Sequence, residues 1–76
     1  MTHRYFYIND LQLIGKKIRN ACYLYKNHTW EDDTQHIIDD RLTGYCHILK
    51  TTGNPHMLVK IEEISYEDAK RLLHLF

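Results

Sequence analysis

The apolar positions of this chain follow two periods, and the clearest pattern lies in its last third. Tyr45-Cys46-His47-Ile48-Leu49 and Met57-Leu58-Val59-Lys60-Ile61 are apolar-rich runs flanking Thr51-Thr52-Gly53-Asn54-Pro55. Gly, Asn and Pro reverse a chain by supplying left-handed or fixed φ angles, so the pattern predicts a hairpin. Side chains alternate faces along a strand. Pairing across the turn puts Cys46, Ile48, Met57, Val59 and Ile61 on one face, which is apolar and is assigned to the core. Tyr45, His47, Leu49, His56, Leu58 and Lys60 fall on the other, which mixes apolar, aromatic and cationic groups.

Next, Ser65-Tyr66-Glu67-Asp68 has capping-box form and predicts a helix. Its apolar stripe is Ala69, Leu72, Leu73 and Phe76, expected to pack over the core face of the hairpin.

Upstream, Arg4-Tyr5-Phe6-Tyr7-Ile8 is β-prone and is stopped by Asn9-Asp10. In residues 10–27, Leu11, Ile14, Ile18, Ala21, Cys22 and Tyr25 recur at helical spacing, with Asp10 placed to cap. This favours an amphipathic helix. Gly15 and the β-prone run Cys22–Tyr25 support the competing reading, a strand over Ile18–Lys26 paired with the first strand. Residues 27–35 are polar and read as a loop. Asp32 or Asp33 would cap a short helix over Thr34–Leu42, with Ile37, Ile38 and Leu42 inward and Thr43-Gly44 ending it. A strand over Gln35–Ile38 is the alternative. Together the elements predict one small α+β domain over residues 1–76. It has an antiparallel sheet of three or four strands, a C-terminal helix on one face and one or two further helices.

Composition narrows the class. A chain of 76 residues with 43% hydrophobic and 26% charged positions is globular, and its core is small. Ten basic residues balance ten acidic ones, but unevenly. Residues 1–28 carry Arg4, Lys16, Lys17, Arg19 and Lys26 against Asp10, whereas residues 29–43 carry Glu31, Asp32, Asp33, Asp39 and Asp40 against Arg41. That asymmetry either steers a charged partner or neutralises itself on folding, and the second account is the plainer one. Neither a strongly basic nucleic-acid binder nor an acidic mimic of DNA fits the balance. Cys22 and Cys46 are too few for a disulfide scaffold. No apolar run reaches the ~20 residues that span a bilayer, and Met1–Asp10 lacks the apolar stretch of a secretory signal. The expectation is a cytoplasmic protein with reduced thiols and no membrane association. Two Ala and three Gly against eight Ile, six Tyr and six Lys suggest an AT-rich genome, such as that of a phage or mobile element.

Candidate chemistry is sparse. Six His and two Cys lack the close pairs of structural zinc sites, so scattered surface histidines are the expected reading and no metal or other cofactor is assigned. A Cys–His nucleophile is disfavoured because Cys46 falls on the predicted core face. Asp32-Asp33 and Asp39-Asp40 have the composition of an acid/base or Mg²⁺ pair, but adjacent acids in polar segments more often cap helices. No catalytic residues are assigned, and the chain is expected not to be an enzyme.

Two binding readings remain. Interfaces favour Tyr anchors, few acids and mixed polarity, so Tyr45, His47, Leu49, His56, Leu58 and Lys60 are the candidate contact for a protein partner or a second copy in a homodimer. The expected function is a small interaction protein that inhibits or modulates its partner, of the kind phages use in host takeover. The alternative is a single-stranded nucleic-acid (RNA) module using Arg4, Tyr5, Tyr7, Lys16, Lys17 and Arg19, with Tyr23, Tyr25 and Lys26 close by. Against it, Tyr5 and Tyr7 share a face while Phe6 and Ile8 fill a core.

Overall fold

A computed structural model of the chain describes residues 3–75. Four strands, β1 (His3–Ile8), β2 (Leu13–Ile18), β3 (Ala21–Lys26) and β4 (Thr29–Asp32), run as an antiparallel meander. Two short helices follow, α1 (Ile37–Thr43) and α2 (Pro55–Leu58), then β5 (Ile61–Ile64) and α3 (Tyr66–Leu75). β5 pairs antiparallel with β1, giving a five-stranded sheet in the order β4-β3-β2-β1-β5. The class is α+β as predicted, with one strand more than the upper expectation.

Residues 10–27 are two strands, not a helix. Ile14, Ile18, Tyr23, Leu24 and Tyr25 prefer extended backbone, and the intervening polar pairs make tight reversals. Arg19 (φ 57°) bends β2 into β3, and Asn27 (φ 52°) with His28 (φ 65°) bends β3 into β4. Consecutive left-handed residues match the twist of a two-residue hairpin. The helical spacing of Leu11, Ile14 and Ile18 was a coincidence of the strand alternation. The competing strand reading placed β3 well but gave it the wrong neighbour, because β2 lies between β3 and β1. Asp10 caps nothing here; it pairs with Arg41. The segment read as a loop contributes β4.

The first sheet face carries the core: Phe6, Ile8 and Leu24 are buried beneath Ile38 of α1, with Leu13, Cys22, Ile37, Leu42 and Ile61 packed around them. α1 starts three residues later than expected, at Ile37 and not Thr34, but of the two candidate acids Asp33 serves its start. Asp33, itself buried, accepts hydrogen bonds from the Ile37 and Ile38 backbone N–H groups at 2.9 Å each. It ends on left-handed Gly44 (φ 70°). Gly15 sits under α1. A Cβ there would lie 2.7 Å from Ile38 Cδ1 and 3.2 Å from Cγ1, so the missing side chain is what lets Ile38 seat.

The predicted hairpin is absent. Asn54 Oδ1 accepts from the His56 N–H at 2.9 Å, and Pro55 stands at the first helical position. The turn residues therefore start α2, since Asn and Pro suit a helix N-terminus as well as a strand reversal. Residues 47–50 form a turn closed by an isolated bridge between Cys46 and Thr51. Ile61–Ile64 pairs with the edge of β1 instead of with residues 45–49. The parity assignment fails with the hairpin: Ile48 is 90% exposed and Val59 70%, although both were assigned to the core.

α3 begins as predicted, with the Asp68 N–H donating to Ser65 Oγ at 3.1 Å. It packs mainly against β1 and β2, on the second sheet face, where Tyr66 and Tyr5 have ring centroids 5.6 Å apart and Ala69 is buried. It does not cover Cys46, Ile48, Met57, Val59 and Ile61 as expected: the first four lie outside the sheet, and Ile61 of β5 packs against the core on the other face. Phe76 lies outside the described residues.

Two outcomes test this packing. Gly15→Ala is expected to cost about 1–3 kcal/mol in denaturant unfolding, as overpacked cores do. In an Ile38→Val background the added cost should shrink, since the nearest atom is gone. The Arg41 guanidinium, 2.6 Å from Asp10, holds that carboxyl below its ordinary range. A depressed folded pKa adds stability above the unfolded value and loses it as pH falls through the folded one. Asp10→Asn should therefore be less stable by about 1 kcal/mol near neutrality, with the difference closing in acid.

Candidate functional site

Two surfaces carry unusual side-chain chemistry. The first is the excursion over residues 44–60, between α1 and β5. Of the six large exposed hydrophobic residues among the described residues, Ile48 (90%), Leu49 (64%), Leu58 (42%) and Val59 (70%) lie here. They form two adjacent pairs, each followed by a lysine: Ile48-Leu49-Lys50 and Leu58-Val59-Lys60. Residues 44–61 contain no Asp or Glu. The excursion is held at its base by the backbone: Gly53 N–H donates to Thr43 O at 2.8 Å and Asn54 N–H to Gly44 O at 2.9 Å. His47 Nε2 lies 2.8 Å from Asp40 Oδ2, and its ring meets Tyr45 edge-on with centroids 4.8 Å apart. An open cleft of about 480 Å³ beside them is lined by Leu11, Ile37, Arg41, His47 and Met57, among others.

The six residues predicted to bind a partner are thus distributed differently. Tyr45 and His47 touch each other. Leu49 is in the 47–50 turn, His56 and Leu58 are on α2, and Lys60 precedes β5. They belong to one excursion but not to one strand face.

The second surface is on the sheet. In register, Tyr23 faces Lys16 and Tyr25 faces Trp30, all on the side that α3 occupies further along. The Lys16 ammonium lies 4.3 Å from the Trp30 ring centroid and 5.4 Å from that of Tyr23, within cation–π range. Lys16 belongs to β2 and Trp30 to β4, so the side chain reaches across β3. Tyr25 packs edge-on against Trp30 at 5.2 Å. All four are half-buried.

Of the residues in the nucleic-acid reading, Lys16 joins this row with the neighbouring Tyr23 and Tyr25, and the others do not. Arg4 pairs with Glu63 at 3.0 Å, on the opposite face. Tyr5 packs on Tyr66, and Tyr7 lines a small cleft with Leu72 of α3. Lys17 is tied to Asp39 at 2.7 Å, and Arg19 is exposed in the β2–β3 turn. Trp30 was missed because residues 27–35 read as a loop. The Asn27-His28 pair, set between alternating aromatic positions, was the available signal for a hairpin there.

The acidic pairs serve separate ends: Asp33 caps α1, Asp39 holds Lys17 and Asp40 meets His47. Among the described residues no three His, Cys, Asp or Glu side chains are grouped to hold a metal ion, and no helix is long and apolar enough to cross a membrane. The Cys22 thiol lies 3.8 Å from Asp39 Oδ2. Burial pushes its pKa up, and the Asp39 carboxylate pushes it further, which is the wrong direction for a nucleophile. No family model matches this chain, and neither a curated protein nor a solved structure is detectably similar to it.

Asp39→Asn is expected to move the Cys22 titration midpoint down, because it removes the neighbouring negative charge. Thiolate absorbance against pH in a Cys46→Ser background measures this, and a midpoint that stays or rises contradicts the assigned cause.

Proposed function

We propose that this chain is a non-enzymatic interaction protein that engages a protein partner through the 44–60 excursion. The observation that carries the reading is the exposure of two aliphatic pairs, Ile48-Leu49 and Leu58-Val59, on a segment without carboxylates. Exposed aliphatic groups of this size cost solvation free energy that a partner surface recovers, at about 25 cal/mol per Å² of apolar area removed from water.

Charge narrows the partner. Lys50 and Lys60 are in no salt bridge among the described residues. A partner whose apolar patch is rimmed by Asp or Glu complements them, with the aliphatic pairs supplying affinity and the lysines supplying orientation and on-rate. Tyr45, held against His47, is an aromatic anchor at the base of the segment. Occlusion of a partner's surface is the mode of inhibition this implies, and the AT-biased composition supports a phage or mobile-element origin. A second copy of the chain is the competing occupant.

The test is affinity capture by the full chain from cells of its source, with and without nuclease, paired with Ile48→Asp and Val59→Asp. Both positions are exposed, so both variants should melt as the parent does. Each is expected to weaken partner binding by about tenfold or more, as loss of an interface anchor does, with no change on nuclease treatment. Sedimentation at rising concentration separates a homodimer from a heterologous partner. Undiminished capture by folded Ile48→Asp and Val59→Asp proteins rejects the surface.

A further inference from the structure

Lys16, Tyr23, Tyr25 and Trp30 have no part in the excursion, and their arrangement points to a second ligand. We infer that this row is a binding site for single-stranded nucleic acid, with unpaired bases stacking on Tyr23 and Trp30 and phosphates running past Lys16 and Arg19. The inference stands on its own geometry and not on the protein-binding reading.

Three aromatic rings on two adjacent strands are a stacking platform. Every base has a π-face, so such platforms take single strands whose bases are unpaired and reject duplexes whose faces are already stacked. The rings here are half-buried and not sealed over, and α3 packs mainly on β1 and β2.

Charge gives the strand a direction across the sheet. Lys16 and Arg19 lie on the β2 side, and neither is in a salt bridge among the described residues. Asp32 lies on the β4 side, opposite Tyr23 in register. Phosphates are favoured over β2 and disfavoured over Asp32, so the bases point from β2 across β3 toward β4. There the Asp32 carboxylate can accept a hydrogen bond from a base amino group, as acidic side chains do from cytosine N4.

In the free protein Lys16 lies over the rings that the bases would occupy. Its flexible stem lets the ammonium swing aside, exchanging a cation–π contact for a phosphate contact of stronger charge. The side chain is therefore a displaceable cover for the platform.

Trp30 is the only tryptophan in the chain, so it reports on its own site. The experiment titrates the full chain with end-labelled single-stranded RNA of about 12 nucleotides, within the lengths sheet platforms cover, and with the matching duplex. Anisotropy reads affinity and Trp30 emission reads stacking. The expected result is saturable single-strand binding with Trp30 quenching, weaker duplex binding, and an affinity that falls with salt at a slope of about −0.7 per phosphate contacted. Lys16→Met keeps the apolar stem over the rings and so keeps the fold, but should lower affinity and shed about one phosphate from the slope. Lys16→Arg should restore both. Tyr23→Leu should cost about 5- to 150-fold, the worth of one stacked base. No binding, equal affinity for duplex, binding without quenching, or affinity unmoved by Lys16→Met overturns the site. Quenching of equal strength by an acidic peptide overturns it in favour of a protein ligand.

Discussion

Contact between Ile38 and the bare backbone of Gly15 is the constraint on which the rest of this small fold depends. The core face has few large side chains to offer: Phe6, Ile8 and Leu24 from the sheet, and Ile38 from the helix. A side chain at Gly15 would push Ile38 out of its seat at the centre of that cluster. With α1 seated, Asp33 reaches the first helical N–H groups, Asp39 reaches Lys17, and Arg41 reaches Asp10. The end of α1 at Gly44 then sets where the excursion leaves the body. It also brings the chain back in position for β5 to pair with β1.

The two sheet faces are treated unequally. The first is closed by α1 over aliphatic and aromatic groups. On the second, α3 covers the β1 and β2 side through Ala69 and Tyr66, leaving Tyr23, Tyr25 and Trp30 partly exposed. Lys16 lies over those rings with its ammonium above the Trp30 and Tyr23 faces, a cation–π contact. The same arrangement that protects the sheet in isolation presents rings and a mobile cation to a ligand.

The uneven charge of the chain is partly consumed within the fold. Lys17 of the basic first third pairs with Asp39 of the acidic middle, and the minority charges Asp10 and Arg41 pair with each other. The first pins α1 to β2 and the second pins it to the β1–β2 turn. Lys16, Arg19, Lys50 and Lys60 are outside the salt bridges of the described residues, and they lie at the two surfaces proposed to bind.

What the chain determined by itself was local: the first strand, the Asp33 and Ser65 helix starts, the Gly44 stop, and the inward turn of Phe6 and Ile8. Each rests on chemistry within a few residues, a carboxylate or hydroxyl near free N–H groups, or alternation along one strand. What only the tertiary structure decided was pairing. Asn54-Pro55 can start a helix as readily as it can reverse a strand, and Ile61–Ile64 can pair with any free edge. The open edge of β1 won because pairing there also packs Ile61 against the core, whereas a local hairpin would have left β1 unpaired on that side. The same limit hid the aromatic row. Trp30 and Lys16 are far apart in sequence and meet only because β3 lies between their strands, an adjacency that no local pattern encodes.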